Sequence, residues 1–169
     1  MNAIQYLRKY GLANAKAVVD TSPDGAMSYY IPLNIYVLPN KYWGNKFNQW
    51  QPIKNLTKKD FVEPSLVSIP ELTQLVESLE IMLKFESVQE AKDAIASAPD
   101  GATEFRKLSC STRYIKVGPR FFEYWDGVKW CRPTVPFTDE THILRFTELS
   151  RLEQAIKDHE IFYRNLEQK

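Results

Sequence analysis

The chain has 169 residues, of which 44% are hydrophobic and 25% charged, a composition that is ordinary for globular proteins. Its 22 Lys and Arg residues nearly balance its 21 Asp and Glu residues, so the overall charge indicates no particular partner. The first ten residues carry no apolar run behind their basic residues, and no stretch approaches the roughly 18 apolar residues of a membrane span, so we expect a cytoplasmic protein without a signal peptide or membrane anchor.

Short blocks of sequence recur in the same order about 76 residues apart, which is the signature of an internal repeat. Several similar blocks in one order are difficult to obtain by chance. We therefore predict two diverged copies of one unit, residues 1–82 and 83–169. The matched blocks are Ala15-Lys16 with Ala91-Lys92, Pro23-Asp24-Gly25-Ala26 with Pro99-Asp100-Gly101-Ala102, Tyr42-Trp43 with Tyr124-Trp125, Trp50 with Trp130, and Glu71-Leu72-Thr73-Gln74-Leu75 with Glu148-Leu149-Ser150-Arg151-Leu152.

Each copy begins with a predicted helix that a Pro-Asp-Gly turn ends. In the second copy Ser87 and Glu90 form a predicted capping box. Proline does not continue a helix and glycine accepts positive φ, so we expect positive φ at Gly25 and Gly101. The apolar helix positions are Ile4, Leu7, Leu12, Ala15, Val18 and Val19 in the first copy, and Val88, Ala91, Ala94 and Ile95 in the second.

Short β runs follow each turn, and a helix closes each copy. The runs are residues 27–31, 34–38 and 46–51 in the first copy, and 103–108, 112–117, 120–125 and 128–131 in the second. Asp126-Gly127 predicts a type I′ hairpin turn. The closing helices are capped by Ser68 and Thr147, and they face the core with Leu72, Leu75, Val76 and Leu79, and with Leu149, Leu152, Ala155, Ile156 and Ile161.

These elements predict an α+β fold, a tandem repeat of two α-β-β-β-α units with antiparallel meanders. The closing helix of the first copy runs almost directly into the opening helix of the second, through Phe85 and Glu86. This short connection leaves little room for a flexible linker. We therefore expect the copies to pack as a pseudo-symmetric pair.

No catalytic or metal-binding pattern stands out in the sequence. Only His142 and His159 are available, in different elements, and Cys110 and Cys131 do not complete a recognisable zinc spacing with them. A cysteine nucleophile would need a neighbouring histidine, for which the sequence gives no support. We expect reduced cysteines, no metal, no cofactor and no enzymatic activity.

The β regions are basic and aromatic, whereas the acidic residues concentrate in the helices and turns. Residues 26–59 contain no acid, and the second copy repeats this pattern with Arg106, Lys107, Arg113, Lys116 and Arg120. Such a region can bind single-stranded nucleic acid through phosphates and stacked bases. The alternative is that the rings form the core while the basic residues lie at solvated strand edges. For Tyr42-Trp43 and Tyr124-Trp125 we favour the core.

Residues kept in both copies are typical of a shared scaffold, whereas residues present in one copy are better candidates for a specific contact. Trp43 and Trp125 are therefore expected to be buried. The candidate partner-binding residues are Phe47, Lys54, Arg113, Lys116 and Arg120. Of these, Arg113, Lys116 and Arg120 are expected to be exposed.

The segment from Ala98 to Phe105 resembles a motif of uncharacterised accessory proteins of temperate enterobacterial phages and prophages. These proteins carry one or two units of the form Ala-Pro-x-x-Ala-Thr-x-aromatic, then a Trp-rich meander and a Leu-rich helix. The first copy departs from the motif, with Ser22 in place of the first Ala and Met27 in place of Thr. The resemblance implies a small phage-encoded protein in bacterial cytoplasm that acts on host machinery or a host defence system.

Two functions follow as hypotheses. The first is a non-enzymatic protein that binds a host protein as an inhibitor, because Tyr, Trp and Arg are the residues that anchor interfaces. The alternative is a nucleic-acid-binding protein that uses a basic, aromatic β face.

Overall fold

The computed structural model describes residues 1–39, 41–44, 49–52, 65–109, 111–119, 121–133 and 146–164. Within them the chain forms two compact units, Met1–Glu77 and Ser78–Lys169. The fold class is α+β, as predicted, with two antiparallel five-stranded sheets. The helices are α1 (Ala3–Asp20), α2 (Ile69–Met82), α3 (Val88–Ala96) and α4 (Leu149–Arg164).

The first unit contains one sheet with the strand order β4-β3-β2-β1-β5. A 3-10 turn (Ile31–Leu33) joins its first two strands and ends at Asn34, a non-glycine residue with positive φ. The strands are β1 (Ser28–Tyr30), β2 (Ile35–Leu38), β3 (Lys41–Gly44), β4 (Gln49–Pro52) and β5 (Leu66–Ser68).

The second unit contains a sheet with the order β9-β8-β7-β6-β10, which is the same order when the strands are counted from the start of each unit. Three-stranded meanders were the predicted unit, with three β runs in the first copy and four in the second. The structure has four meander strands in each unit, and β3 (Lys41–Gly44) was not predicted. The structure adds a short strand before each closing helix, β5 and β10, that pairs with the first strand of its sheet. The strands are β6 (Glu104–Lys107), β7 (Thr112–Gly118), β8 (Phe121–Trp125), β9 (Trp130–Cys131) and β10 (Thr147–Glu148).

The opening helix of the second unit begins at the predicted Ser87 cap. Only half of the predicted capping box forms, because the Glu90 carboxylate accepts the backbone N–H of Glu86 at 2.7 Å instead of that of Ser87. The Ser87 side chain accepts the backbone N–H of Glu90 at 3.1 Å, and Ala91 and Ala94 are buried. In α1, Asn2 and Gln5 cap each other, and a non-helical Gly11 kinks the helix. The Pro-Asp-Gly turns then follow with φ values of 79° at Gly25 and 84° at Gly101, which confirms the expected positive φ.

A tyrosine hydroxyl ties each sheet to its opening helix in the same way. Tyr36 donates to the Val18 carbonyl at 2.7 Å and lies 2.7 Å from the Thr21 hydroxyl. Tyr114 donates to the Ala94 carbonyl at 2.5 Å and lies 3.0 Å from the Ser97 hydroxyl. Thr21 and Ser97 are the residues that end the two helices. Each buried ring therefore satisfies carbonyl groups that a helix end leaves unpaired.

The closing helices begin at matching backbone hydrogen bonds, from Ile69 N–H to the Met27 carbonyl and from Leu149 N–H to the Thr103 carbonyl, both 3.0 Å. This register places Leu72 with Leu152, both fully buried, rather than with Leu149 as the sequence blocks align them. Both helices carry leucines three residues apart, so a slip of about one helical turn leaves the apolar pattern almost unchanged.

Ile161 was predicted to face the core and is instead exposed. It lies five residues after buried Ile156, which is about 140° around the helix. The described core of the second unit is formed by α3, α4, the end of α2 and the sheet, and its members are Ile81, Met82, Phe85, Ala91, Ala94, Phe105, Tyr114, Leu152, Ala155 and Ile156.

Candidate functional site

Strand register divides the side chains of the second sheet between two faces. Phe105 on β6 pairs with Tyr114 on β7, and both pack on α3 and α4. Because successive side chains alternate, the residues on either side of these two project from the opposite face. We call this opposite side the outer face; it carries Glu104, Arg106, Arg113, Ile115, Val117, Phe122, Tyr124, Cys131 and Glu148.

Two of the predicted partner-binding residues, Arg113 and Lys116, lie on opposite faces of β7. Arg113 is exposed on the outer face, as expected. Lys116 is three residues further along the strand, an odd spacing that turns it to the helix side, where it is half-buried and not exposed as expected. The structure therefore does not bring these two cations together. The other predicted residues, Phe47, Lys54 and Arg120, lie outside the described residues.

Lys116 belongs to a charge cluster with Glu123 and Arg132. Its ammonium lies 3.4 Å from one carboxylate oxygen of Glu123, whose other oxygen is 3.0 Å from Arg132 Nε. The Arg132 hydrogen bond and the charge of Lys116 lower the pKa of Glu123. The Lys116 ammonium also lies 5.6 Å from the centroid of the Trp130 ring, a cation–π contact. Lys116 thus has two internal interactions at the site where it was expected to meet a partner.

Lys107 is compensated in the same way. Its ammonium lies 2.7 Å from the Glu90 carboxylate, and this contact lowers the pKa of Glu90. Two of the basic residues predicted to form a positive surface in the second copy are therefore neutralised by acids from other elements. Arg106 and Arg113 remain; they lie directly opposite each other on the outer face.

The outer face also carries a pair of acids beside the two arginines. Glu104 on β6 lies opposite Glu148 on β10. Burial and the negative charge of Glu148 raise the pKa of Glu104. The two arginines thus form a like-charged pair across β6 and β7, and the two glutamates form another across β6 and β10. The charged residues of the outer face are therefore on β6 and on the strands on either side of it.

An apolar area lies on the β7 and β8 part of the outer face. Ile115 is buried, Phe122 is half-buried, and Val117 and Tyr124 are 38% and 41% exposed. Val117 lies opposite Phe122, and Ile115 lies opposite Tyr124. Because these residues are neighbours across β7 and β8, they present one continuous apolar area on the same face as Arg113. Tyr124 was expected in the core, and the structure instead exposes it on this face.

The shared tryptophans form matching cross-strand pairs. Trp43 contacts Trp50, and Trp125 contacts Trp130, each with ring centroids 5.3 Å apart and edge-to-face geometry. Trp43 and Trp125 are half-buried rather than fully buried. Trp125 packs at the margin of the described core, so its position agrees with a scaffold role only in part.

The β8–β9 connection differs from the predicted type I′ turn. The strands part at Trp125 and Trp130, which leaves residues 126–129 in the loop instead of the two residues of that turn. The Asp126 carboxylate accepts the N–H groups of Val128 and Lys129, which lowers its pKa to about 2. Side-chain hydrogen bonding of this kind stabilises a longer loop.

Two residues that the sequence analysis did not assign to a catalytic site, Cys131 and His159, lie within the described part of the chain. Cys131 is a free thiol that donates to Asp126 at 3.2 Å, and this bond raises the pKa of the thiol and disfavours the nucleophilic thiolate. His159 stacks on Tyr163, and burial lowers the pKa of its imidazole. Within the described ranges, no three His, Cys, Asp or Glu side chains are grouped so that they could bind a metal. His142 and Cys110 lie outside those ranges.

The first unit has an open groove of about 570 Å³ between its Pro-Asp-Gly turn and α2. Val19, Ile69 and Pro70 contribute apolar surface, and Asp24 and Glu77 add carboxylates. Neither Arg113 nor Lys116 lines it. The described helices include none long and apolar enough to cross a membrane.

Comparison with known proteins adds no constraint, since no protein-family model, curated protein or solved structure matches this chain.

Proposed function

We propose that this protein is a non-enzymatic binding protein that attaches to another protein through the outer face of its second sheet. The observation that carries the proposal is the apolar area formed by Val117, Phe122 and Tyr124 on the same face as the exposed Arg113. Exposed tyrosine and arginine next to apolar surface are the residue types that contribute most to protein interfaces.

The partner, in this proposal, is a host protein in bacterial cytoplasm, and binding inhibits host machinery or a host defence system. Its support is the sequence resemblance of residues 98–105 to temperate-phage accessory proteins.

We also propose that the two units are diverged copies of one ancestral unit and that they pack as a pseudo-symmetric pair. The duplication is supported by the common strand order, the two tyrosine–helix contacts and the matching hydrogen bonds at the start of α2 and α4. A duplicated scaffold would let the second sheet diverge on its outer face without losing its core.

Nucleic-acid binding is the alternative, and the presence of Arg106 and Arg113 on the outer face is the observation that favours it. The ion pairs of Lys107 and Lys116 count against it, because they neutralise charge that phosphates would need. The carboxylates of Glu104 and Glu148 on the same face would repel a phosphate backbone. These features support the protein-binding proposal over its alternative.

Site-specific photocrosslinking in bacterial cells tests the proposal. A benzophenone amino acid at Tyr124 should give a discrete adduct with one protein, whereas the same group at Tyr163, an exposed tyrosine on α4, should not. Adding Val117→Ser should reduce the adduct at Tyr124 by about tenfold, because the apolar contact is lost. No adduct at Tyr124, or identical adducts at both positions, would refute a specific interface on this face.

A further inference from the structure

Arg106 and Arg113 form a like-charged pair directly across β6 and β7. At directly opposite positions the Cβ atoms are about 4.5–5.5 Å apart, and like charges placed there destabilise a sheet. Arg113 is exposed and Arg106 is half-buried, so both side chains reach the same surface of the sheet from opposite backbone positions.

No carboxylate in the described part of the chain forms an ion pair with either guanidinium. Glu104 lies two residues before Arg106 on the same strand and face, yet the causes of its raised pKa are burial and the charge of Glu148. The neighbouring acids therefore do not offset the electrostatic repulsion between the two arginines. Lys107 and Lys116, by contrast, are paired with Glu90 and Glu123.

We propose that Arg106 and Arg113 together bind a carboxylate side chain, an Asp or Glu of the partner protein; this rests on the proposed function. A carboxylate has two oxygens that can each accept hydrogen bonds from a guanidinium fork. One such group between the two arginines would offset their repulsion. On the same face Tyr124 lies one row further along the sheet, opposite Ile115, and Val117 and Phe122 lie two rows further, where they can contact the partner's apolar side chains.

An acidic protein segment fits this face better than a nucleic acid. The Glu104–Glu148 pair lies in the row next to the arginines, so an extended polyanion crossing the sheet would meet two carboxylates. A single carboxylate flanked by apolar residues avoids that repulsion. The binding surface therefore selects an acidic residue next to an aromatic or aliphatic one.

The test is an NMR titration of the full chain with labelled arginine Nε–Hε groups. The probe is the peptide acetyl-Gly-Glu-Phe-Glu-Gly-amide, with the matched Gln-for-Glu peptide and an octathymidylate as comparisons. The Glu peptide should shift the signals of Arg106 and Arg113 and leave that of Arg132 unchanged, whereas the Gln peptide should shift neither. Equal shifts with both peptides, or tighter binding of the oligonucleotide, would overturn the proposal.

Three variants test whether the titration reports a specific site or attraction by net charge. Arg106→Gln and Arg113→Gln should each weaken binding of the Glu peptide by about fivefold, the upper range for an exposed ion pair. Arg132→Gln removes the same charge from a residue that pairs with Glu123, and it should change binding little. An equal loss in all three variants would show attraction by net charge and would refute a specific site.

Thermal unfolding separates a binding role from a structural one. Because the two arginines repel each other, Arg113→Gln should leave the unfolding midpoint unchanged or raise it. A lower midpoint would mean that the pair stabilises the sheet and would overturn the inference. Since the peptide assay needs no cellular partner, the carboxylate site can fail while crosslinking at Tyr124 succeeds, so the two proposals are distinguishable.

Discussion

The two units agree where a sheet meets its opening helix and differ where a strand faces solvent. Tyr36 and Tyr114 occupy equivalent places in the register and make equivalent hydroxyl contacts. One residue before them, half-buried Ile35 in the first unit corresponds to exposed Arg113 in the second. Positions that complete the core are constrained by packing, whereas positions at the solvent side can change their chemistry at little cost in stability.

The largest expected effect tests how the closing helices correspond. Leu72→Ala and Leu152→Ala should each lower the free energy of unfolding by about 2–5 kcal/mol, because both side chains are fully buried. Leu149→Ala should lower it by only about 1 kcal/mol, since Leu149 is half-buried. Urea denaturation followed by circular dichroism measures all three. If Leu149→Ala lowered the free energy of unfolding more than Leu152→Ala, Leu149 would be the counterpart of Leu72, as the sequence blocks indicate.

A smaller effect tests the shared tyrosine contacts. Tyr36→Phe and Tyr114→Phe keep the rings but leave carbonyl groups of α1 and α3 without their hydroxyl donors, and each should cost about 1–2 kcal/mol. Tyr163 is an exposed residue of α4, so Tyr163→Phe is the control and should change stability by less than about 0.5 kcal/mol. Hydrogen exchange of the amides at the ends of α1 and α3 would show whether the loss is local. If only one of the two substitutions lowered the stability, the Tyr36 and Tyr114 contacts would not be equivalent.

The smallest effect concerns the hairpin loop of the second unit. The pKa of Asp126 is lowered to about 2, so its carboxylate stabilises the loop above its ordinary pKa, and this contribution is lost as pH falls towards about 2. The Asp126 carboxyl carbon, followed by NMR, should titrate near pH 2, and the Val128 and Lys129 amide signals should move with it.

Two substitutions at Asp126 separate charge from hydrogen bonding. Asp126→Asn retains an oxygen acceptor for the two amides, so it should keep the loop amide shifts while abolishing their acid titration. Asp126→Ala removes the acceptor and should move those shifts at neutral pH. Amide titration that persists in Asp126→Asn would place the titrating group elsewhere.

The sequence by itself determined the local features of this protein. The Ser87 cap, the glycine turns with positive φ, the helices and the α+β class all depend on residues close together in the chain, and each was predicted. The blocks that indicate a repeat were visible as letters alone. The exposure of Arg113 was also predicted, whereas its pairing with Arg106 on the adjacent strand was not.

Only the tertiary structure decided which residues meet. Strand β5 has three residues and strand β10 has two, so both are too short for a periodic signal. They form because they pair with strands far away in the chain. The face on which a side chain lies follows from strand register, which separated Arg113 from Lys116 and set Arg113 opposite Arg106. The partners of Lys107 and Lys116 likewise come from other elements. Sequence composition gives the number of charges, but their neutralisation depends on distances that only the folded chain defines.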